Sequence, residues 1–298
     1  LPRRLNFSHR RVFMVGEELA REGIGTLLDP VARVPQNRMT AFLSVARGRA
    51  VDVLNADAPI EQFPAEMVRE LTQAVMRRPT TLTTFIGQIL ETGVDPIAAV
   101  FETYHTAAGS DSLSYQGIRL AGMGLFRDAN LVGILEGPQA QGLLLAMGLA
   151  SDPSIAVPAP WGDFIIVVRL HETTAQLVPL LHGDRVSARV RIQAKFSLQE
   201  NTSPTPIHSR GISGRLKPAL EGQVRQMAEA AIKEAQAAGA DPLGIGHAIH
   251  SADPAYWRRI QPSWERLYAK MKVQVEVALQ LEHTGGIIQP VTGKGGHR

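Results

Sequence analysis

The sequence predicts an α+β fold, mixed α/β in content and multidomain, with each domain a mixed β-sheet flanked by helices. Three observations carry this reading. From Val186 to Leu198 every even position is apolar or Ala, and the odd positions are Ser, Arg, Gln or Lys. From Met271 to Leu281 the odd positions are Met, Val, Val, Val, Leu and Leu, with Lys, Gln, Glu, Ala and Gln between them. Alternation over that length means strands with one buried and one wet face. Between these strands, Leu220, Val224, Met227, Ala228, Ala231, Ile232 and Ala235 form a stripe at helical spacing from about Leu216 to Ala238. Gly239 supplies the stop. A sheet wet on one face and covered by helix on the other is an α+β layer arrangement.

The remaining elements follow in chain order. Val12 to Val15 is a short apolar strand, and Glu17 and Glu18 are acids suited to the first turn of a helix running to about Leu28. Met39 to Ala46 reads as a second strand and Val51 to Leu54 as a turn of helix. Helices are expected over Glu61 to Arg77 and Thr81 to Thr92, the second with Leu82, Phe85, Ile86, Ile89 and Leu90 on one face and Thr81 or Thr80 as cap. Asp95-Pro96 is expected to start another short helix ending near Tyr104, and Gly109 to Ser112 a loop. Ile118 to Phe126 and Leu131 to Leu135 bracket the hairpin turn Arg127-Asp128-Ala129-Asn130. A helix from Pro138 to Met147 closes this unit, and the proline-rich stretch Ser151 to Gly162 reads as a linker. Phe164 to Leu170 is a strand and Gly183-Asp184 a hairpin turn. Asp241-Pro242 and Asp253-Pro254 read as helix starts, with Asp as cap and Pro in the first turn. The expected division is 1–55 as the remainder of an N-terminal domain whose first strands lie upstream, 56–152 as a middle domain, 160–286 as a C-terminal domain, and 287–298 as a tail. The C-terminal segment is expected to fold alone around its own closed core.

Composition narrows the function classes. The chain has 298 residues, 44% hydrophobic and 20% charged, which excludes a disordered tail. It contains no Cys, so a disulfide scaffold, a cysteine nucleophile and thiolate metal sites are excluded within it. No stretch approaches the ~20 apolar residues of a membrane helix. The first residue is Leu and no signal peptide is visible, so the chain reads as a processed or truncated piece. The net charge is +3, but residues 1–50 hold nine Arg against four acids while residues 51–150 hold five Arg against eleven acids. No basic run is interleaved with aromatics, so no nucleic-acid partner is expected.

Candidate chemical groups are sparse. His247 and His250 sit three apart but lack a nearby third metal ligand, and ordinary surface or capping histidines are the simpler reading. Gly244 and Gly246 lack the third glycine and preceding strand of a phosphate loop. Ser8-His9 lacks a nucleophile elbow. Arg10, Arg11, Arg47 and Arg49 read as a solvated basic face before they read as a ligand patch. Trp257 and Trp264 are core or interface aromatics, and Pro262 breaks any helix between them. No acid, base and nucleophile converge, so no catalytic, cofactor-binding or metal residues are assigned and no enzyme activity is expected.

Three ordered blocks nevertheless resemble one family. The first is Phe7 to Ile24 with Leu43 to Gly48; the second is Gly122-Met123-Gly124-Leu125-Phe126 through Leu131-Val132-Gly133; the third is Ala240 to His250, then Trp257, Trp264 and His283 to Gly286. Together they resemble the C subunit of the spore germination receptor, the Ger(x)C lipoproteins of endospore-forming bacteria. The resemblance implies a non-catalytic subunit of a nutrient germinant receptor, acting through protein contacts. It implies membrane-embedded A and B subunits as partners and a location on the outer face of the spore inner membrane. It also implies a lipid anchor on an N-terminal Cys that is absent from this chain. The second and third blocks are then candidate contact surfaces. The alternatives are a periplasmic-type small-ligand binding protein and a metal-dependent hydrolase using His247 and His250.

Overall fold

A computed structural model describes residues 10–33, 38–58, 61, 63–105, 116–182, 185–202 and 212–283. Two mixed sheets organise them. The first has strand order β1-β2-β3-β4-β5: β1 (Val12–Gly16), β2 (Phe42–Ala46), β3 (Ile97–His105), β4 (Gln116–Arg127) and β5 (Asn130–Glu136). β1, β2 and β3 run parallel, and β3, β4 and β5 antiparallel. The expected boundary near residue 55 therefore falls inside one sheet. The second has strand order β6-β7-β8-β9: β6 (Ser154–Pro158), β7 (Ile165–His182), β8 (Arg185–Asn201) and β9 (Lys272–His283). Only β8 and β9 are parallel.

The helices of the first half are α1 (Glu17–Glu22), α2 (Gly25–Arg33), α3 (Ala50–Leu54), α4 (Pro64–Val75), α5 (Leu82–Leu90) and α6 (Gly137–Ala146). Thr81 caps α5 in a box with Thr84, whose backbone N–H reaches the Thr81 hydroxyl at 3.1 Å. In the second half, a π-helical turn (Ile212–Leu216) leads into α7 (Lys217–Ala238). Then come α8 (Ile245–Ala252), α9 (Pro254–Ile260), a 3₁₀ turn (Gln261–Ser263) and α10 (Trp264–Lys270). The buried residues of α7 are the seven of the predicted stripe.

Four expectations need correction. The helix expected from Glu17 to Leu28 is two helices. It breaks because the β4–β5 turn docks there: Ile24 N–H donates to Ala129 O at 3.0 Å, and Asn130 Nδ2 donates to Glu22 O at 2.9 Å. The helix expected to end near Tyr104 is strand β3. Its Ile97 to Phe101 run is buried on both faces of a central strand, so it shows no alternation and imitates a helix segment. The linker Ser151 to Gly162 contains edge strand β6, where Pro158 is tolerated at the strand end. Asp241 does not start a helix directly; α8 begins at Ile245. The expected loop at 109–112, the turn at Gly183-Asp184 and the 287–298 tail lie outside the described residues.

The second sheet does not own a closed core. One cluster of buried side chains runs from Ile97, Phe101 and Leu125 in the first sheet, through Leu143 to Leu145 of α6, to Val190, Ile192 and Leu220 in the second half. The second half of α6, residues 142–146, is buried on all sides because it lies between the sheets, and that explains its lack of an amphipathic pattern. It approaches α7 so closely that a Cβ on Gly142 would stand 2.2 Å from Met227 O. The opposite face of the first sheet carries Val15, Ile24, Leu43, Phe85 and Phe126, with the last two rings edge to face at 4.8 Å.

Gly142→Ala should lower stability by about 1–3 kcal/mol through overpacking, outweighing the ~1 kcal/mol helix-propensity gain. Gly87, exposed in α5 with nothing within 4 Å of its would-be Cβ, is the control. Gly87→Ala should stabilise by about 0.5–1 kcal/mol. Urea midpoints at constant m-value measure both; a neutral Gly142→Ala would refute the close helix contact.

Candidate functional site

The third block lies where the two halves meet. Chain segment 91–96, between α5 and β3, is gripped by segment 240–247, which runs from the end of α7 into the first turn of α8. Asp95 N–H donates to Asp241 O at 3.0 Å, and Asp241 N–H returns to Asp95 Oδ2 at 2.7 Å. The other Asp95 oxygen accepts from Asp128 N–H at 3.1 Å, in the β4–β5 turn. The Asp241 carboxylate accepts from Ile245 N–H at 3.1 Å and Gly246 N–H at 2.9 Å, satisfying donors at the start of α8. His247 N–H donates to Gly93 O at 2.7 Å. The two backbones touch at Gly93 and Gly246: a Cβ on Gly93 would lie 2.5 Å from Gly246 C. Gly93 also has φ +77, a left-handed conformation that a side chain disfavours.

The electrostatics of this clasp are unusual. Asp241 is 2% exposed and makes no ion pair among the described residues. Burial pushes its carboxyl up to about 7, against the lowering effect of the Gly246 and Ile245 N–H groups; the neighbouring Asp95 pushes it further up. Asp95 is also raised, first by burial, opposed by its two backbone donors. The buried Tyr268 hydroxyl has no hydrogen-bond partner among the described residues, and burial together with both carboxylates pushes its pKa well above the ordinary value. A cluster of Ile245, Ile249, Trp257, Tyr268 and Met271 surrounds the clasp. Trp257 stacks edge to face on the half-buried Trp264 at 5.1 Å.

The predicted site residues are placed as follows. His247 and His250 both lie on α8. His247 Nδ1 stands 3.2 Å from the Glu91 carboxylate, and the His250 ring lies 6.4 Å from Trp257. Among the described residues no three His, Asp or Glu side chains gather to hold a metal. Asp253 caps α9 as expected, accepting from Tyr256 N–H at 2.9 Å. Ser8 and His9 lie outside the described residues.

Arg47 is partly exposed but paired with acids. It bridges Glu102 at 2.9 Å and Glu136, joining β2, β3 and β5. Burial raises the Glu102 carboxyl, but Arg119 and Arg47 together hold it below its ordinary value. Arg11 pairs with Glu66 at 3.1 Å, and Arg10 stacks over Phe13 at 5.5 Å. Among the described residues the second and third blocks are largely buried, Met123, Leu125, Phe126 and Asp241 fully so, while His247 and Trp264 stay partly exposed. Sequence reasoning missed Asp95, because Asp-Pro reads as a helix cap and its partner lies 146 residues away.

A cleft of about 410 Å³ opens between α4, β4, α6 and the 150–154 segment, lined by Val75, Leu120, Met123, Leu144, Gln141 and Asp152 among others.

Known proteins resemble this chain along nearly all of its length. A family described as "Spore germination protein N-terminal domain" matches residues 1–103, and one described as "Spore germination B3/ GerAC like, C-terminal" matches residues 121–285. Asp95 lies in the first match and Asp241 in the second, so the clasp joins them. YfkR, a candidate spore germination protein of Bacillus subtilis (strain 168), is 29% identical over 98% of this chain and 76% of its own length. Spore germination protein KC of the same organism is 23% identical over 95% of this chain and 74% of its own. Spore germination protein B3 is 21% identical over 94% and 74%. The crystal structure of the GerBC protein shares the fold, with a TM-score of 0.67 and 17% identity over 92% of this chain and 79% of that one.

Two substitutions test the clasp. Asp241→Ala strips the partners from two N–H groups at a buried helix start and should cost about 2 kcal/mol or more. Trp257→Ala should cost about 3–5 kcal/mol as a core truncation. Denaturant unfolding followed by Trp fluorescence and circular dichroism reads both; a cost below about 0.5 kcal/mol for either would place that residue on a free surface.

Proposed function

The chain belongs to the B3/GerAC-like family of spore germination proteins, and from that premise we propose that it is a non-catalytic subunit of a nutrient germinant receptor. It acts through contacts with the membrane-embedded A and B subunits, at the outer face of the spore inner membrane. Extended similarity to germination proteins over 94–98% of the chain is the observation that carries this reading. The architecture supports it: the acids that share a buried site accept hydrogen bonds from backbone N–H groups, and so serve to join segments. No helix among the described residues is long and apolar enough to cross a membrane. Attachment is assigned to an N-terminal lipid. A single acyl chain binds a bilayer only marginally, so the partner subunits would supply the rest of the hold.

Tagged full-length protein recovered from spore membranes should bring the A and B subunits with it, and spores lacking its gene should respond more slowly to at least one nutrient. Recovery of the protein alone, together with unchanged germination on every nutrient tried, would overturn the proposal.

One observation favours a second reading, a small-ligand binding protein: the cleft between α4, β4 and α6 is walled mostly by apolar side chains, with Gln141 and Asp152 among its polar lining. Thermal-shift screening with amino acids and sugars separates the two readings. A ligand at ~100 times its Kd should stabilise the chain by about 2.7 kcal/mol, whereas the receptor-subunit reading requires no such shift.

A further inference from the structure

The cleft between α4, β4 and α6 carries a single formal charge. Asp152 is the only charged side chain among its described lining residues, and Val75, Leu120, Met123 and Leu144 form apolar walls around it. Gln141 spends an amide N–H on Ser154 O at 3.1 Å, which leaves its side-chain carbonyl available to accept. Among the described residues Asp152 meets no Lys or Arg within ion-pair distance. His171 Nδ1 stands 3.9 Å from Asp152 Oδ2, beyond hydrogen-bond reach, while His171 Nε2 and Ser197 Oγ are hydrogen-bonded at 2.8 Å. The half-exposed carboxylate therefore keeps its accepting capacity. The backbone here is also constrained. Asp152 has φ +39, and Glu172, beside His171, has φ +48; among the described non-glycine residues only Asp128 shares a positive φ. Such conformations persist only where the surroundings impose them, and they cluster at binding sites.

We propose that this cleft is a site for a small organic ammonium ion with an aliphatic body, its charged head on Asp152 and its body against Val75, Leu120, Met123 and Leu144. The inference rests on the small-ligand reading of the cleft and narrows its ligand class. The selection is electrostatic. A carboxylate beside apolar walls repels an anion, and it gains only one neutral hydrogen bond from an alcohol. An ammonium head brings three N–H donors and the opposite charge, and its bond to the carboxylate is charge-assisted. Gln141 offers a second acceptor on the same wall. The volume of about 410 Å³ suits a small molecule.

Titration of the ¹⁵N-labelled intact chain with pentylamine, pentanol and pentanoate near neutral pH, at matched ionic strength, tests this. Pentylammonium should shift the amides of Ala121, Leu144 and Asp152 saturably, with a Kd about tenfold or more below that of either other probe. Asp152→Asn keeps the side chain's size and tolerates the left-handed backbone, and it should erase that preference. Equal binding of the three probes, or a preference that survives in Asp152→Asn, would overturn the assignment. Should that variant fail to fold, Ala74→Trp decides: Ala74 is exposed and lines the cleft, so the larger ring should block it. Undiminished pentylammonium binding in Ala74→Trp would place the ligand elsewhere. Saturable shifts at the cleft with pentanol or pentanoate but not pentylamine would end the ammonium assignment and leave the small-ligand reading standing. No saturable shift there with any of the three would overturn the assignment, and the thermal-shift screen then decides the broader reading alone.

Discussion

Much of this fold depends on bringing two remote stretches of backbone into direct contact. Gly93 and Gly246 make the approach sterically possible. Asp95 and Asp241 make it polar-satisfied, because each takes up backbone donors that would otherwise be stranded. Asp95 also holds Asp128, and the same hairpin turn holds the break between α1 and α2 through Asn130. A continuous path of hydrogen-bonded and covalently linked groups thus runs from α1 through the β4–β5 turn to the start of α8. Its placement, between the segments matched by two separate family descriptions, makes the joint a defining property of the whole chain.

The apolar interior points the same way. α6 leaves the first sheet and lies against α7 of the second, with Gly142 removing the side chain that would hold them apart. The core is therefore shared, and neither sheet covers its inner face without the other half. The shared core has a mechanical consequence. Force or displacement applied at one half reaches the other through packed helices and a short polar clasp. A string of loosely tethered domains would dissipate it.

Much of this was legible in the sequence, and what was not has physical causes. β8, β9 and α7 announce themselves because each has one wet face, so period and burial coincide. β3 does not, because its Ile97 to Phe101 run is buried on both faces and carries no alternation to read, so the pattern predicts a helix there; α6 is legible as the predicted helix Pro138 to Met147, but its place between the sheets is not. The break after Glu22 is imposed by Asn130, more than a hundred residues away. Arg47 looked like a surface cation because its acidic partners, Glu102 and Glu136, come from other strands. Asp241 was recognised as a cap, but its buried neighbour Asp95 was invisible to any local pattern. The ordered blocks carried the family, and among their described residues Asp241, Gly246 and His247 help hold the halves together.

Differential scanning calorimetry of the intact chain tests the shared core most directly. If the clasp and the α6–α7 contact fuse the halves, unfolding is one transition whose calorimetric and van't Hoff enthalpies agree. Two resolved transitions, each assignable to one sheet, would contradict it.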